Sequence, residues 1–312
     1  MSTWLVGAGY MAQKYAKVLN ELISDYEVIG RGQKSALDFE SVTNHSVRQG
    51  GLTQALNELK PPKQAIVAVG VEDLSKISAE LVRSGVKRIL LEKPGGINKQ
   101  EIVELNSVAK FYGAKILIAY NRRFYESTLA LKELIEIDGG ATSCIFEFTE
   151  WSHIIGPLKK GPGVKEAWFL ANSSHIADLA FHICGYPKDF SAWHGGSLSW
   201  HNASERFCGS GITEKDILFS YHADWSAPGR WGLEVLTRKN RYILKPLEKL
   251  QVVRIGSVTV ENIEIDDEND LKYKPGIYNQ IKAFLECEDT MFCLIEEQLK
   301  HIDIYNKIAG YD

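Results

Sequence analysis

The stretch TWLVGAGYMAQKYAKVLNEL, residues 3–22, decides the fold class. A short apolar run stops at Gly7-Ala8-Gly9-Tyr10-Met11-Ala12, and beyond it Tyr15, Val18, Leu19 and Leu22 recur at helical spacing. The order is strand, glycine turn, helix. The first glycine permits a tight turn, the second lets the backbone approach a pyrophosphate at the helix N-terminus, and Ala12 lets helix and strand pack closely. The spacing alone is common, but with a strand before it and a helix after it the pattern predicts a dinucleotide site at Gly7, Gly9, Tyr10, Met11 and Ala12.

Working outward, a second strand is expected in YEVIGRG, residues 26–32. An acid at the end of this strand would bind a ribose 2′-hydroxyl, whereas an Arg accommodates a 2′-phosphate. Glu27 lies at the strand's start, far from that end, where Gly30-Arg31-Gly32-Gln33-Lys34-Ser35 supplies two cations and no carboxylate. The expectation is NADP(H) in preference to NAD(H), with Arg31 and Lys34 on the phosphate. Strands over 64–70, 87–91 and 115–120 alternate with helices over 72–84 and 98–111, the grammar of a doubly wound parallel sheet. Ligands bind at the carboxyl ends of such strands, which adds Val69 to the expected cofactor contacts. The run ILLEKPGG, residues 89–96, carries an apolar strand straight into Glu92, Lys93 and Pro94 on that same edge.

Past residue 121 the pattern changes. One helix over 124–137 precedes strand-like runs at 141–152, 216–222, 231–237, 240–245 and 251–264, then helices return at 276–287 and 294–310. Consecutive strands with few helices read as an open, mainly antiparallel sheet in an α+β domain. The expected division is a Rossmann dinucleotide-binding domain over 1–120 and a substrate-binding and oligomerisation domain over 121–312, the sheet pairing two or four copies. The Gly-, Pro- and Lys-rich stretch 154–168 reads as a loop or lid that carries Lys159, Lys160, Lys165 and Trp168.

Composition narrows the function. The chain has 312 residues, 45% of them hydrophobic, and 36 Lys and Arg against 40 Asp and Glu give a net charge of -4. No basic run suggests nucleic acid, and no apolar run is long enough to span a membrane. Cys144, Cys184, Cys208, Cys287 and Cys293 form neither a disulfide framework nor metal-ligand spacing, so a cytoplasmic protein without a metal is expected.

Four elements in order resemble the glucose-fructose oxidoreductase / inositol dehydrogenase family: the glycine turn, Glu92-Lys93-Pro94, YNRRF at 120–124, and HIADLAFHICG at 175–185. The resemblance spans nearly the whole chain. It implies a nicotinamide-dependent dehydrogenase or reductase acting on a CH–OH or C=O group of a sugar, sugar acid, nucleotide sugar or polyol, with Lys93 and His175 as the catalytic pair. Glu92 and Lys93 would also border the nicotinamide. His175, Asp178 and Gly185 keep the family's spacing, but Ala171 stands where an acid is usual. Tyr120, Asn121 and Arg123, with Trp168, Asn172 and Asp178, are the expected substrate contacts, and Asn172 or Ser173 the expected cap of the histidine's helix. Two relatives of the fold leave alternatives: a glycosidase that oxidises its substrate only transiently with a retained NAD, and a regulator that has lost catalysis.

Overall fold

The computed structural model describes residues 2–23 and 25–311, and these divide into two compact units. The first comprises Met1–Tyr120 and Lys272–Lys300, the second Asn121–Leu271 and His301–Asp312.

In the first unit β1 (Thr3–Val6), α1 (Tyr10–Leu22), β2 (Glu27–Ile29), α2 (Gln33–Thr43), α3 (Gly51–Glu58), β3 (Gln64–Val67), α4 (Leu74–Arg83), β4 (Arg88–Leu91), α5 (Lys99–Tyr112) and β5 (Lys115–Ile118) follow one another. The five strands are parallel in the order β5-β4-β3-β1-β2, so the chain leaves β1 toward one side of the sheet and returns to its other side at β3. That reversal is where a parallel sheet opens a ligand crevice. Every residue of β1 and β3 is buried, as strands covered on both faces require. Neither α2 nor α3 was expected from the sequence; each begins directly after a glycine, Gly32 for α2 and Gly50 for α3.

The second unit begins with a 3-10 turn at Asn121–Phe124. Its elements are α6 (Glu126–Ile137), β6 (Ser143–Glu147), α7 (Ser152–Ile155), α8 (Ser174–Cys184), β7 (Pro187–Gly195), β8 (Arg206–Thr213), β9 (Leu218–Asp224), β10 (Gly232–Leu236), β11 (Asn240–Leu244), β12 (Gln251–Arg254) and β13 (Glu261–Asn262). They build one sheet in the order β13-β12-β11-β10-β6-β9-β8-β7, antiparallel except where β6 runs parallel to β9. Side chains alternate across it: Phe146, Phe207, Phe219 and Tyr221 are buried, and Phe146 meets Phe181 of α8 edge-on at 5.5 Å. Ile145, Trp193 and Leu218 stand exposed. The expected α+β architecture is observed, although β7 and β8 were missed because SAWHGG and CGSG interrupt the apolar alternation with small residues. Gly209 and Gly211 belong in β8 for a steric reason: a Cβ there would lie 2.4 Å from the Tyr221 ring and 2.3 Å from the Asp189 carbonyl.

The expected boundary that gave all of 121–312 to the second domain needs correction. After α9 (Glu268–Lys272), the segment with α10 (Ile277–Glu286) and β14 (Cys293–Leu294) belongs to the first unit, and α11 (Ile295–Ala309) starts there. The cause is the apolar stripe Ile277, Ile281 and Phe284, which α10 buries as it packs against α1, while β14 adds an antiparallel edge to β5. Arg88 fastens the return, donating to the Phe284 carbonyl and pairing with Asp289 at 2.6 Å.

The returning segment also fixes the turn after β4. Gln298, fully buried, donates to the Pro94 carbonyl at 3.1 Å and accepts from the Tyr120 hydroxyl at 3.2 Å. Gln298→Leu leaves both groups short of that partner in the interior. It should lower stability by about 2 kcal/mol, seen as a lower urea midpoint at an unchanged m-value.

Candidate functional site

A cleft of about 500 Å³ opens at the carboxyl ends of β1, β2 and β3. Its wall includes Gly7, Gly9, Tyr10, Met11, Arg31, Ser35, Gly51, Val69 and Asp73. Gly7 has φ +126°, and a Cβ on it would sit 2.2 Å from the Ala68 carbonyl oxygen, so no other residue fits that crossing. Space above Gly9 is open to 4 Å. The helices α1, α2 and α3 all begin at this cleft, after Gly9, Gly32 and Gly50, and none has a side-chain cap. Three sets of uncapped N–H groups and positive helix ends therefore surround one cavity, which suits a ligand with several phosphates. Ala12 is fully buried behind the turn and serves packing.

Lys34 does not line the cleft, and Ser35, one residue on, does. Arg31 does line it, with its side chain 86% exposed and paired at 3.4 Å with Asp73, which sits on the short 3-10 turn after β3. So exposed a pair contributes about 0–1 kcal/mol, and a phosphate competes with it easily.

Glu92 and Lys93 lie outside the cleft lining, on the turn after β4. The backbone N–H of Glu92 donates to Val67, and its carboxylate accepts from the buried Tyr15 hydroxyl at 2.7 Å. Burial, and then the Glu92 charge, push the Tyr15 phenol well above its usual range, so it stays protonated and a donor. With Gln298 on Pro94, α1 and α11 both hold the turn that presents Lys93, which is 9% exposed. Downstream, Asn98 caps α5 by accepting from the Glu101 N–H, and Glu101 reaches back to the N–H of Ile97.

In the second unit His175 lies in the first turn of α8 and is 4% exposed. The expected cap is absent, because a π-helical turn over Phe169–Ser173 runs directly into α8. Asn172 and Ser173 turn to a residue that was not singled out in the sequence: Glu150 accepts from Asn172 Nδ2 at 2.6 Å and Ser173 Oγ at 2.7 Å, and pairs with Arg230 at 3.1 Å. Its side chain is 1% exposed, and burial raises its pKa against the pull of those donors. A carboxylate thus stands against the turn where Ala171 provides none. The available signal was an acid directly after the apolar run CIFEFT, next to Trp151.

Two of the expected substrate contacts face each other instead. Arg123 donates from Nε and Nη2 to both oxygens of Asp178, at 2.8 and 2.6 Å, with the side chains 4% and 1% exposed, and the Tyr186 hydroxyl bonds to the same pair. Tyr120 is fully buried with its hydroxyl on Gln298, and Asn121, 3% exposed, accepts from Arg122. Trp168 is no lid: it is 7% exposed and packs edge-on against Trp200 at 6.0 Å. Of the nearby lysines, Lys159 and Lys160 are exposed and Lys165 donates back to the Gly156 carbonyl at 2.5 Å. His182 is pushed down to about 2 by burial and by Arg123, Lys132 and Lys215, so it is neutral and no rival to His175 as a proton carrier at ordinary pH. Among the described residues no cluster of His, Cys, Asp or Glu could hold a metal ion, and no helix is long and apolar enough to cross a membrane.

No family model and no curated protein matches this sequence. Solved structures do match over almost the full length. UDP-N-acetylglucosamine 3-dehydrogenase from Acidithiobacillus ferrooxidans is 13% identical, with a TM-score of 0.77 over 99% of this chain and 96% of its own. Levoglucosan dehydrogenase in complex with NADH and L-sorbose is 13% identical, with a TM-score of 0.79 and the same coverage. An oxidoreductase from Agrobacterium radiobacter in complex with NAD+, L-tartaric acid and magnesium is 10% identical, with a TM-score of 0.78 over 98% of this chain and 94% of its own. The chain shares the fold of these oxidoreductases. At such low identity the likeness shows the fold and not the individual side chains.

Asp178→Asn separates packing from substrate contact. It removes the charge that compensates a buried guanidinium and should cost about 3–5 kcal/mol, measured by urea unfolding, with little change in KM for whatever substrate is turned over. Glu150 carries a signature with pH. Its folded pKa is raised, so the native state holds the proton more tightly, and its contribution to stability is full below the unfolded value and is lost as pH rises through the folded one. In Glu150→Gln, melting temperature followed from mildly acidic to neutral pH should lose that decline.

Proposed function

We propose that the protein is a nicotinamide-dependent oxidoreductase that interconverts a CH–OH and a C=O group on a carbohydrate-type substrate. The cleft of the first unit carries this reading, with a glycine turn that excludes any side chain and three uncapped helix starts around one cavity. The resemblance of Lys93 and His175 to a catalytic pair and the fold shared with sugar and nucleotide-sugar dehydrogenases support it.

The residues present fit a dinucleotide. Gly9 leaves room for a pyrophosphate against the α1 N-terminus, and Val69 and Met11 offer apolar wall. When bound, the nicotinamide supplies the hydride donor or acceptor. Lys93, held on its turn by the flanking helices, orients the substrate oxygen and stabilises negative charge as it develops there. His175 removes the hydroxyl proton in the oxidising direction and returns it in the other. Glu150 fixes Asn172 and Ser173, which lead directly into the His175 turn.

NADP(H) is the favoured cofactor. Arg31 and the Ser35 hydroxyl border the cleft at the end of β2 and start of α2, where a 2′-phosphate would find a guanidinium and uncapped N–H groups. Solved structures of the fold in complex with NAD+ and with NADH keep NAD(H) as the competing reading for this chain. Two or four copies pairing through the exposed face of the second sheet would cover Ile145, Trp193 and Leu218.

Lys93→Met and His175→Ala should each lower kcat by about 10²–10⁴-fold while cofactor affinity stays at the wild-type value, measured by turnover and by titration of cofactor fluorescence. Normal turnover in either variant removes that residue from the mechanism. Arg31→Ala should weaken NADP(H) about tenfold and leave NAD(H) unchanged, and equal weakening of both would assign the site to NAD(H).

A further inference from the structure

The cations around Trp231 take no part in the hydride and proton steps above, and their arrangement bears on the substrate. Trp231 is 5% exposed, with the Arg122 guanidinium 5.2 Å and the Arg230 guanidinium 5.1 Å from its ring centroid. The His175 imidazole is 6.2 Å from the same indole. Arg230 also stacks on Trp151 at 4.9 Å, and that ring is 47% exposed, so the cluster reaches the surface.

Two guanidiniums on one indole repel each other unless anions compensate. Arg230 has Glu150 at 3.1 Å. Arg122 donates to the neutral amide oxygen of Asn121 at 2.8 Å, its Nε is buried with no acceptor, and no carboxylate lies within ion-pair distance of it among the described residues. The Trp231 Nε1 is likewise a buried donor with no acceptor among the described residues. Donors and positive charge are thus in excess of acceptors beside His175. Guanidiniums preorganised on an aromatic face match the paired oxygens of a carboxylate or phosphate.

We infer that the substrate carries a carboxylate or phosphate group, bound by Arg122 and Arg230 around Trp231 next to His175. The inference rests on the reading of His175 as the acid/base residue, but anion binding is measurable without turnover.

Isothermal titration of the full-length protein, with and without NADP(H), against D-glucose, D-gluconate and D-glucose 6-phosphate tests it. At least one of the two anions should bind about tenfold or more tightly than glucose, and which one does so tells carboxylate from phosphate. Arg122→Gln should abolish the preference, and Arg122→Lys, which keeps the charge, should retain most of it. Glucose binding as tightly as both anions, no binding by either anion, or an undiminished preference in Arg122→Gln would overturn the inference; in the last case the arginines serve only to pack the indole. If the anions bind in the expected pattern but none is oxidised or reduced with either cofactor, the oxidoreductase reading fails while the anion site stands.

Discussion

The absence of a side chain at Gly7 is the constraint from which the first unit follows. With the Ala68 carbonyl in the space where a Cβ would be, β1 and the loop after β3 close to backbone contact. The chain must then turn sharply, and α1 starts uncapped at Tyr10, on the wall of the cleft. Starting there, the helix buries Tyr15 and brings its hydroxyl to Glu92, which anchors the turn bearing Lys93. A steric condition at one residue is thereby transmitted, through the fixed rise of a helix, to the setting of a cation on a different strand.

The second unit is governed by buried charge. Arg123 and Asp178 are removed from water together, and the bidentate geometry with Tyr186 satisfies most of their hydrogen-bonding capacity. Such a pair is costly to break and ties the 3-10 turn at 121–124 to α8. Glu150 is a different case. Two neutral donors and one half-exposed arginine compensate it incompletely, and its raised pKa records the deficit. Carboxylates retained under that penalty cluster where chemistry is done, although structural networks produce the same shift.

Legibility from the sequence followed the range of the interactions. The parallel sheet was readable because its strands are apolar runs and α1, α4 and α5 carry 3.6-residue stripes, both local signals. The glycine turn was readable for the same reason, and six of its expected neighbours, Gly7, Gly9, Tyr10, Met11, Arg31 and Val69, do line the cleft. The helices after Gly32 and Gly50 were not read, because glycine signals a break without saying that a helix begins beyond it. In β8 the glycines are demanded by Tyr221 and Asp189 on neighbouring strands, which no local pattern records. The substrate contacts fared worst: Arg123 and Asp178 lie 55 residues apart, and a sequence cannot tell an arginine waiting for a ligand from one already bonded to a carboxylate.

By itself the sequence determined the dinucleotide-type turn, the two-part architecture, and the types and spacing of Lys93 and His175, because periodicity and steric permission are properties of neighbours along the chain. Only the tertiary structure decided that Lys272–Lys300 returns to the first unit, that Glu150 stands against the turn before His175 where Ala171 cannot contribute, and that Arg123 pairs with Asp178 while Arg122 has no carboxylate within ion-pair distance among the described residues. Those outcomes depend on which buried donors meet which acceptors across long stretches of chain, and the cost of an unmet charge is settled only when the packing that removes water is complete.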